Sequence, residues 1–184
     1  DLSFADYVRA EKEAVGSDYY TAAQAFFAKR LDGVEGMTEI VSDLTNPSEQ
    51  GTVSEAVTPL DLNAVNGFCR QQASHGITPA HFVLASVFYT LSRFTNSDSL
   101  CMTTVSNGRS NVRIADTMGM FVNTLALSSQ IGKQSVMEFI CETSEDFRET
   151  LRHENYPFAQ IANDYGLSAE IMFAYQMGVI NHYK

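Results

Sequence analysis

The run TPAHFVLASVFYTLSRF, residues 78–94, is the strongest constraint on the fold. Thr78 can cap a helix and Pro79 suits its first position. The body that follows is apolar on nearly every side, so this helix is expected to be central and buried on most sides. After the polar turn TNSDS comes SLCMTTVS, which reads as a strand. A buried helix leading into a strand points to a mixed α/β layout, and 184 residues suffice for one domain with a real core.

The rest of the chain supports the mixture. Phe4, Tyr7 and Val8 recur at helical spacing, and Gly16 ends that segment. A second helix carries Tyr20, Ala23, Phe27 and Leu31 on one stripe, with Gly33 past its end. TEIVSDLTNPSEQG reads as an extended piece running into a loop marked by Pro47, Ser48 and Gly51, and TVSEAVT as a weak strand. TPLDLNAVNGFCRQQASHG predicts a helix capped by Thr58, with Pro59 at its first position and Gly76 at its exit. DTMGMFVNTLALSSQ reads as a strand. Side-chain alternation along it puts Phe121, Asn123 and Leu125 on one face. In SVMEFICETSEDFRETLRH, Ser135 and Glu138 form a capping-box pattern, and Val136, Phe139, Ile140, Phe147 and Leu151 form the apolar stripe. Pro157 opens the short helix PFAQIANDYG, and EIMFAYQMGVI reads as a last strand.

Charge and cysteine content exclude several classes. Acidic residues number 22 against 12 basic ones, for a net charge of −10. Nucleic acid is excluded as a partner, because phosphate binding needs clustered Lys and Arg, and an anionic membrane surface is disfavoured likewise. No apolar run reaches the ~18 residues of a membrane span. Cys69, Cys101 and Cys141 are scattered and odd in number, a pattern of reduced thiols in a cytoplasmic protein. The chain opens directly into a helical pattern without a leading Met, and we expect it to be a piece of a longer protein.

Single-motif chemistry is sparse. There is no Gly-rich phosphate loop, GxSxG, HExxH or metal-spaced cluster, so no metal or bound cofactor is expected. None of His75, His81, His153 and His182 sits beside a serine or cysteine in a nucleophile pattern. His81 reads as a core histidine and His75 as a favourable charge at a helix end. His153 reads as a structural residue at the corner before Pro157, where proline restricts its predecessor.

Three segments carry more. LSRFTNSDSLCMTTVSNGRS, MGMFVNTLAL and HENYPF resemble, in order and spacing, the condensation domain of nonribosomal peptide synthetases. That family carries an "SRY"–strand–"GR" segment, an "IGMFVNTL" strand and an "HxxxPF" turn. LSFADYV resembles the family's "Y-x-DYA" helix and EIMFAYQ its "VMFALQ" strand. The match departs at TTVSNGR, where Thr103 and Val105 replace the usual glycine and proline, which weakens side-chain transfer at Ser106. MGMFVNT fits condensation-type better than epimerization-type relatives.

The resemblance implies a lobe of the chloramphenicol-acetyltransferase-like fold shared by coenzyme-A-dependent acyltransferases, with a mixed open sheet and packed helices. It implies that residues 1–184 form a single domain, the C-terminal subdomain of a condensation domain. The intact parent would join carrier-tethered acyl or aminoacyl thioesters to an amine, in a tunnel between two lobes. The family's HHxxxDG motif belongs to the other lobe. No two histidines are adjacent in this chain, so no catalytic residue is expected in it. Tunnel candidates are Asn123, Phe121, Ser106 and Arg109; His153 and Pro157 form a structural motif. Asn123 either faces substrate or fixes its strand by a backbone hydrogen bond. Ser106 and Asn107 lean to a structural turn and Arg109 to an internal pairing. Implied partners are the N-terminal lobe, peptidyl and aminoacyl carrier domains bearing phosphopantetheine, and adenylation neighbours. A lobe lacking its partner exposes apolar surface, which permits a homodimer. Two alternatives stay open: a non-catalytic lobe that docks carrier domains, and a stand-alone acyltransferase acting as an oligomer.

Overall fold

A computed structural model describes residues 2–34, 36–41, 54–168 and 170–176. Helices α1 (Phe4–Ala14) and α2 (Asp18–Arg30) come first, then α3 (Leu62–Gln71) and α4 (Pro79–Thr95). Strand β1 (Ser99–Ser106) leads through a loop to β2 (Asn123–Gln130). Helices α5 (Val136–Arg152) and α6 (Phe158–Tyr165) and the short β3 (Met172–Phe173) complete the chain. The loop expected at Pro47, Ser48 and Gly51 lies outside the described residues, as do His182 and the end of the last predicted strand.

The sheet is mixed, in the order β2-β1-β3. β1 pairs antiparallel with β2 from Ser99↔Gln130 to Ser106↔Asn123, and parallel with β3 at Thr103↔Met172. Thr38 extends the second edge of β1: its N–H donates to the Cys101 carbonyl, and its hydroxyl accepts from the Cys101 N–H. Leu100 through Thr104 are all buried, as a central strand covered on both faces requires. On one face Leu100, Met102 and Leu127 pack with Leu84 and Phe88 of α4 and Phe139 and Ile140 of α5. On the other, Cys101 and Ala126 pack with Ala23 and Phe27 of α2, Leu31 at its C-terminal end, and Tyr156 and Ile161. The α2 stripe falls where its spacing predicts.

Helix starts follow local chemistry. Ser3, Thr78 and Ser135 each cap a helix in a capping box with Asp6, His81 and Glu138. The predicted start at Thr58–Pro59 is corrected to Asp61, whose carboxylate accepts from the N–H groups of Asn63 and Ala64, two donors instead of one. α4 is buried along one stripe, His81, Leu84, Ala85, Phe88, Leu91 and Ser92, and not on most sides: Tyr89 and Phe94 stand in solvent. In α5, Val136 is exposed, and the covered stripe runs through Phe139, Ile140, Thr143, Ser144 and Thr150. Residues 54–58, predicted to be part of a strand, form no regular element. Among the described residues no helix is long and apolar enough to cross a membrane.

Candidate functional site

The end of the β1–β2 ladder gathers the residues of interest. Ser106 and Asn123 are cross-strand partners there, on the same face of the sheet. The corner between α5 and α6, HENYPF, closes over them. The Asn123 amide donates to the Glu154 carbonyl at 2.9 Å, and the Ser106 hydroxyl donates to the Glu154 carboxylate. The same hydroxyl accepts from the Gly108 N–H at 3.1 Å. Glu154 is therefore the hub, and only 6% of it is exposed. One of its carboxylate oxygens, Oε1, has no hydrogen-bond partner.

Asn107, Gly108 and Arg109 turn the chain out of β1. The Asn107 side chain accepts from the Arg109 N–H, and Gly108 takes a φ of +63°. The Arg109 guanidinium donates to the carbonyls of Ile114, Ala115, Thr117 and Gly119, at 2.8 to 3.2 Å. It also lies 4.3 Å over the Phe121 ring. Arg109 thus pairs inside the molecule, with loop carbonyls rather than an acidic group. Phe121 precedes β2 instead of belonging to it. It is buried, with its ring 5.3 Å from that of Phe4 and 4.8 Å from that of Tyr7 on α1. Of the three residues expected on one strand face, only Asn123 and Leu125 lie in the strand.

Beside this cluster opens a groove of about 640 Å³. Ser106, Asn107, Arg109 and Glu154 line it, with Val105, Val122, Phe147, Leu151 and Tyr175 as apolar walls. Three of the four sequence-derived tunnel candidates converge here: Ser106 and Arg109 at the groove, Asn123 on the backbone of its acid. Phe121 stands apart, under the loop. Glu154 was not singled out from the sequence, although it lies within HENYPF; its signal was an acid between a corner histidine and Pro157.

The electrostatics follow burial. Burial pushes the Tyr7 hydroxyl up; the charges of Glu11 and Glu154 add to that, and the Asn123 side chain opposes it. Burial also raises Tyr19, with Glu154 contributing. Burial lowers His153 below the ordinary histidine range. Its ring lies 4.5 Å from that of Phe26, and its Nδ1 is buried without a partner. The His153 N–H donates to carbonyls of the last turn of α5, and Pro157 caps α6, so both residues shape the corner. Cys101 is pushed up to about 12 by burial, which makes it an inert thiol. Among the described residues no three His, Cys, Asp or Glu side chains group to hold a metal.

Comparison with known proteins agrees with this geometry. Residues 1–179 match the family model described as the condensation domain. Surfactin synthase subunit 1 of Bacillus subtilis (strain 168) is 28% identical over 168 residues, covering 88% of this chain and 4% of that protein. Malpinin synthetase of Mortierella alpina is 23% identical over 185 residues, covering 95% of this chain and 2% of that protein. The chain thus spans a few hundredths of the length of these relatives. Among solved structures, a holo four-domain nonribosomal peptide synthetase bound to AMP and glycine superposes with a TM-score of 0.75 at 20% identity, over 90% of this chain and 13% of that one. The condensation domain of the Monacolin K polyketide synthase gives 0.69 at 22% identity, over 93% of this chain and 41% of that one. The fold is the chloramphenicol-acetyltransferase-like one of those domains. With the family match running from the first helix past β3, this chain belongs to the condensation-domain family.

Proposed function

We propose that the intact parent of this chain forms amide bonds between carrier-tethered substrates, and that residues 1–184 are the C-terminal lobe of its condensation domain. The observation that carries this is the convergence of Ser106, Asn123 and Glu154 beside an open groove with apolar walls, in a chain of this family. A thioester and an amine need such a place, polar at one point and dry around it. The donor thioester and the acceptor amine arrive on phosphopantetheine arms of peptidyl or aminoacyl carrier domains, with adenylation domains as neighbours. The N-terminal lobe supplies the facing wall. Two features support a lobe that packs against another. The chain covers under half of a solved condensation-domain chain. The loop beside the groove also exposes Val112, Met118, Met120 and Val122. The parent acts in the cytoplasm, a reading that the unpaired Cys69, Cys101 and Cys141 support.

The test is amide formation by the full parent polypeptide from a donor-loaded and an acceptor-loaded carrier, read by intact mass. The expected product is the elongated chain on the acceptor carrier. Loss of donor by hydrolysis alone, or no transfer at all, overturns the reading.

A further inference from the structure

We propose that Glu154 binds the amine of the acceptor substrate, through the carboxylate oxygen that the protein leaves unpaired; this rests on the amide-forming reading above. The starting point is an imbalance in hydrogen bonding. Glu154 is more than nine-tenths buried, yet only Oε2 is engaged, by the Ser106 hydroxyl. Oε1 has no partner, and none of the ion pairs among the described residues includes this carboxylate. A buried polar atom with an unmade bond is costly to keep, and buried polar groups are otherwise almost always paired.

The cation that lines the same groove does not settle the account. Arg109 lines it too, but its terminal nitrogens donate to four backbone carbonyls, its face lies over Phe121, and it forms no ion pair with Glu154. The Ser106 hydroxyl has no further proton to give, since it already donates to Oε2 and accepts from Gly108. The Glu154 carbonyl is held by Asn123, which fixes the backbone under the carboxylate. The acid is thus held at Oε2 by Ser106 and at its backbone by Asn123, while Oε1 stays buried at the groove wall without a partner.

What completes it must carry an N–H or O–H donor, and a positively charged N–H gives the stronger bond, because a carboxylate is an acceptor only. A primary amine fits. The apolar side chains of Val105, Val122, Phe147 and Leu151 around the acid suit the carbon groups that flank an α-amine in an aminoacyl thioester. A donor whose α-nitrogen is already acylated offers no such group, so the acid favours the free amine of the acceptor over such a donor.

The probe is an aminoacyl-pantetheine with a free α-amine, compared with its α-hydroxy analogue, each bound to the full parent polypeptide and measured calorimetrically. The wild-type protein should prefer the amine by about 10- to 100-fold, the worth of one charge-assisted hydrogen bond. In Glu154→Gln the preference should collapse toward one, at an unchanged thermal midpoint, because glutamine still accepts from Ser106. The KM for the acceptor should rise by a similar factor with kcat less affected. Equal wild-type affinity for amine and hydroxyl overturns the proposal without recourse to any variant. So does an intact preference in a folded Glu154→Gln protein. Amine preference without turnover leaves the site standing and removes the amide-forming reading; turnover with no amine preference does the reverse.

Discussion

The space a Cβ would need at Gly108 is filled by the Phe121 carbonyl oxygen, and its φ of +63° is left-handed. Gly108→Ala should therefore cost at least about 1–3 kcal/mol, since both backbone strain and a clash with backbone oppose it. Denaturant unfolding measures this, and a cost below a few tenths of a kcal/mol would mean that the NGR turn is not built as described. Asn123 was ambiguous in the sequence, an amide amid apolar neighbours with two fates. The structure gives its amide a backbone partner, the Glu154 carbonyl, 31 residues away. Asn123→Ala should thus lower stability by about 1–3 kcal/mol, by stranding that carbonyl. The single-turnover rate of the folded parent should stay near normal. A rate loss of about 10²–10³ at unchanged stability would instead put the amide on a reacting oxygen. Glu154 itself was not legible, because its meaning lies in a contact with Ser106 across 48 residues and no local spacing encodes that.

At the level of elements, caps were legible wherever a single residue could serve and misleading where two competed. Thr78, with Pro79, begins α4 as its sequence predicts; Thr58 loses to Asp61 three residues on. The apolar body of α4 promised burial on most sides, but composition does not say how many neighbours arrive, and α3 and α5 cover only part of it. The α4 N-terminus also holds a pH-sensitive knot. His81 Nδ1 accepts from the Thr78 N–H and lies 2.7 Å from the Ser144 hydroxyl, which in turn accepts from Arg148. Burial lowers the His81 pKa, Arg148 lowers it further, and a Gly76 backbone bond pulls the other way. The unfolded state then takes up a proton first as pH falls below about 6.5. His81 contributes stability above that point and loses it as pH drops through its folded pKa; His153, lowered by burial too, acts in the same sense. The thermal midpoint should fall between pH 7 and pH 5, and His81→Gln should make that fall shallower, because glutamine can also reach back to the cap N–H. An unaltered pH profile in the variant would show that His81 does not carry it.

For the whole molecule, the sheet between two helix layers and the order of the family motifs were legible, because hydrophobic pattern and motif order run along the chain. The groove was not, since it forms where the end of β1, the start of β2 and the α5–α6 corner meet. That groove also bounds what the chain can do by itself. Moving protons between an amine and a leaving thiol near neutral pH calls for a group such as histidine close to the reacting atoms. His81 is turned to Thr78 and Ser144, and His153 lies against Phe26 in the aromatic pack behind the corner. Neither lines the groove, nor does His75, and His182 lies outside the described residues. The groove is also open along one side, so water reaches any thioester placed in it. The isolated 184-residue chain should therefore give no amide above the uncatalysed background from loaded donor and acceptor carriers, while the full parent does. The same carrier pair, buffer and mass readout serve for both proteins. Product formed by the isolated chain at a rate near the parent's would mean that the groove works without a facing lobe, and the half-domain assignment would have to be given up.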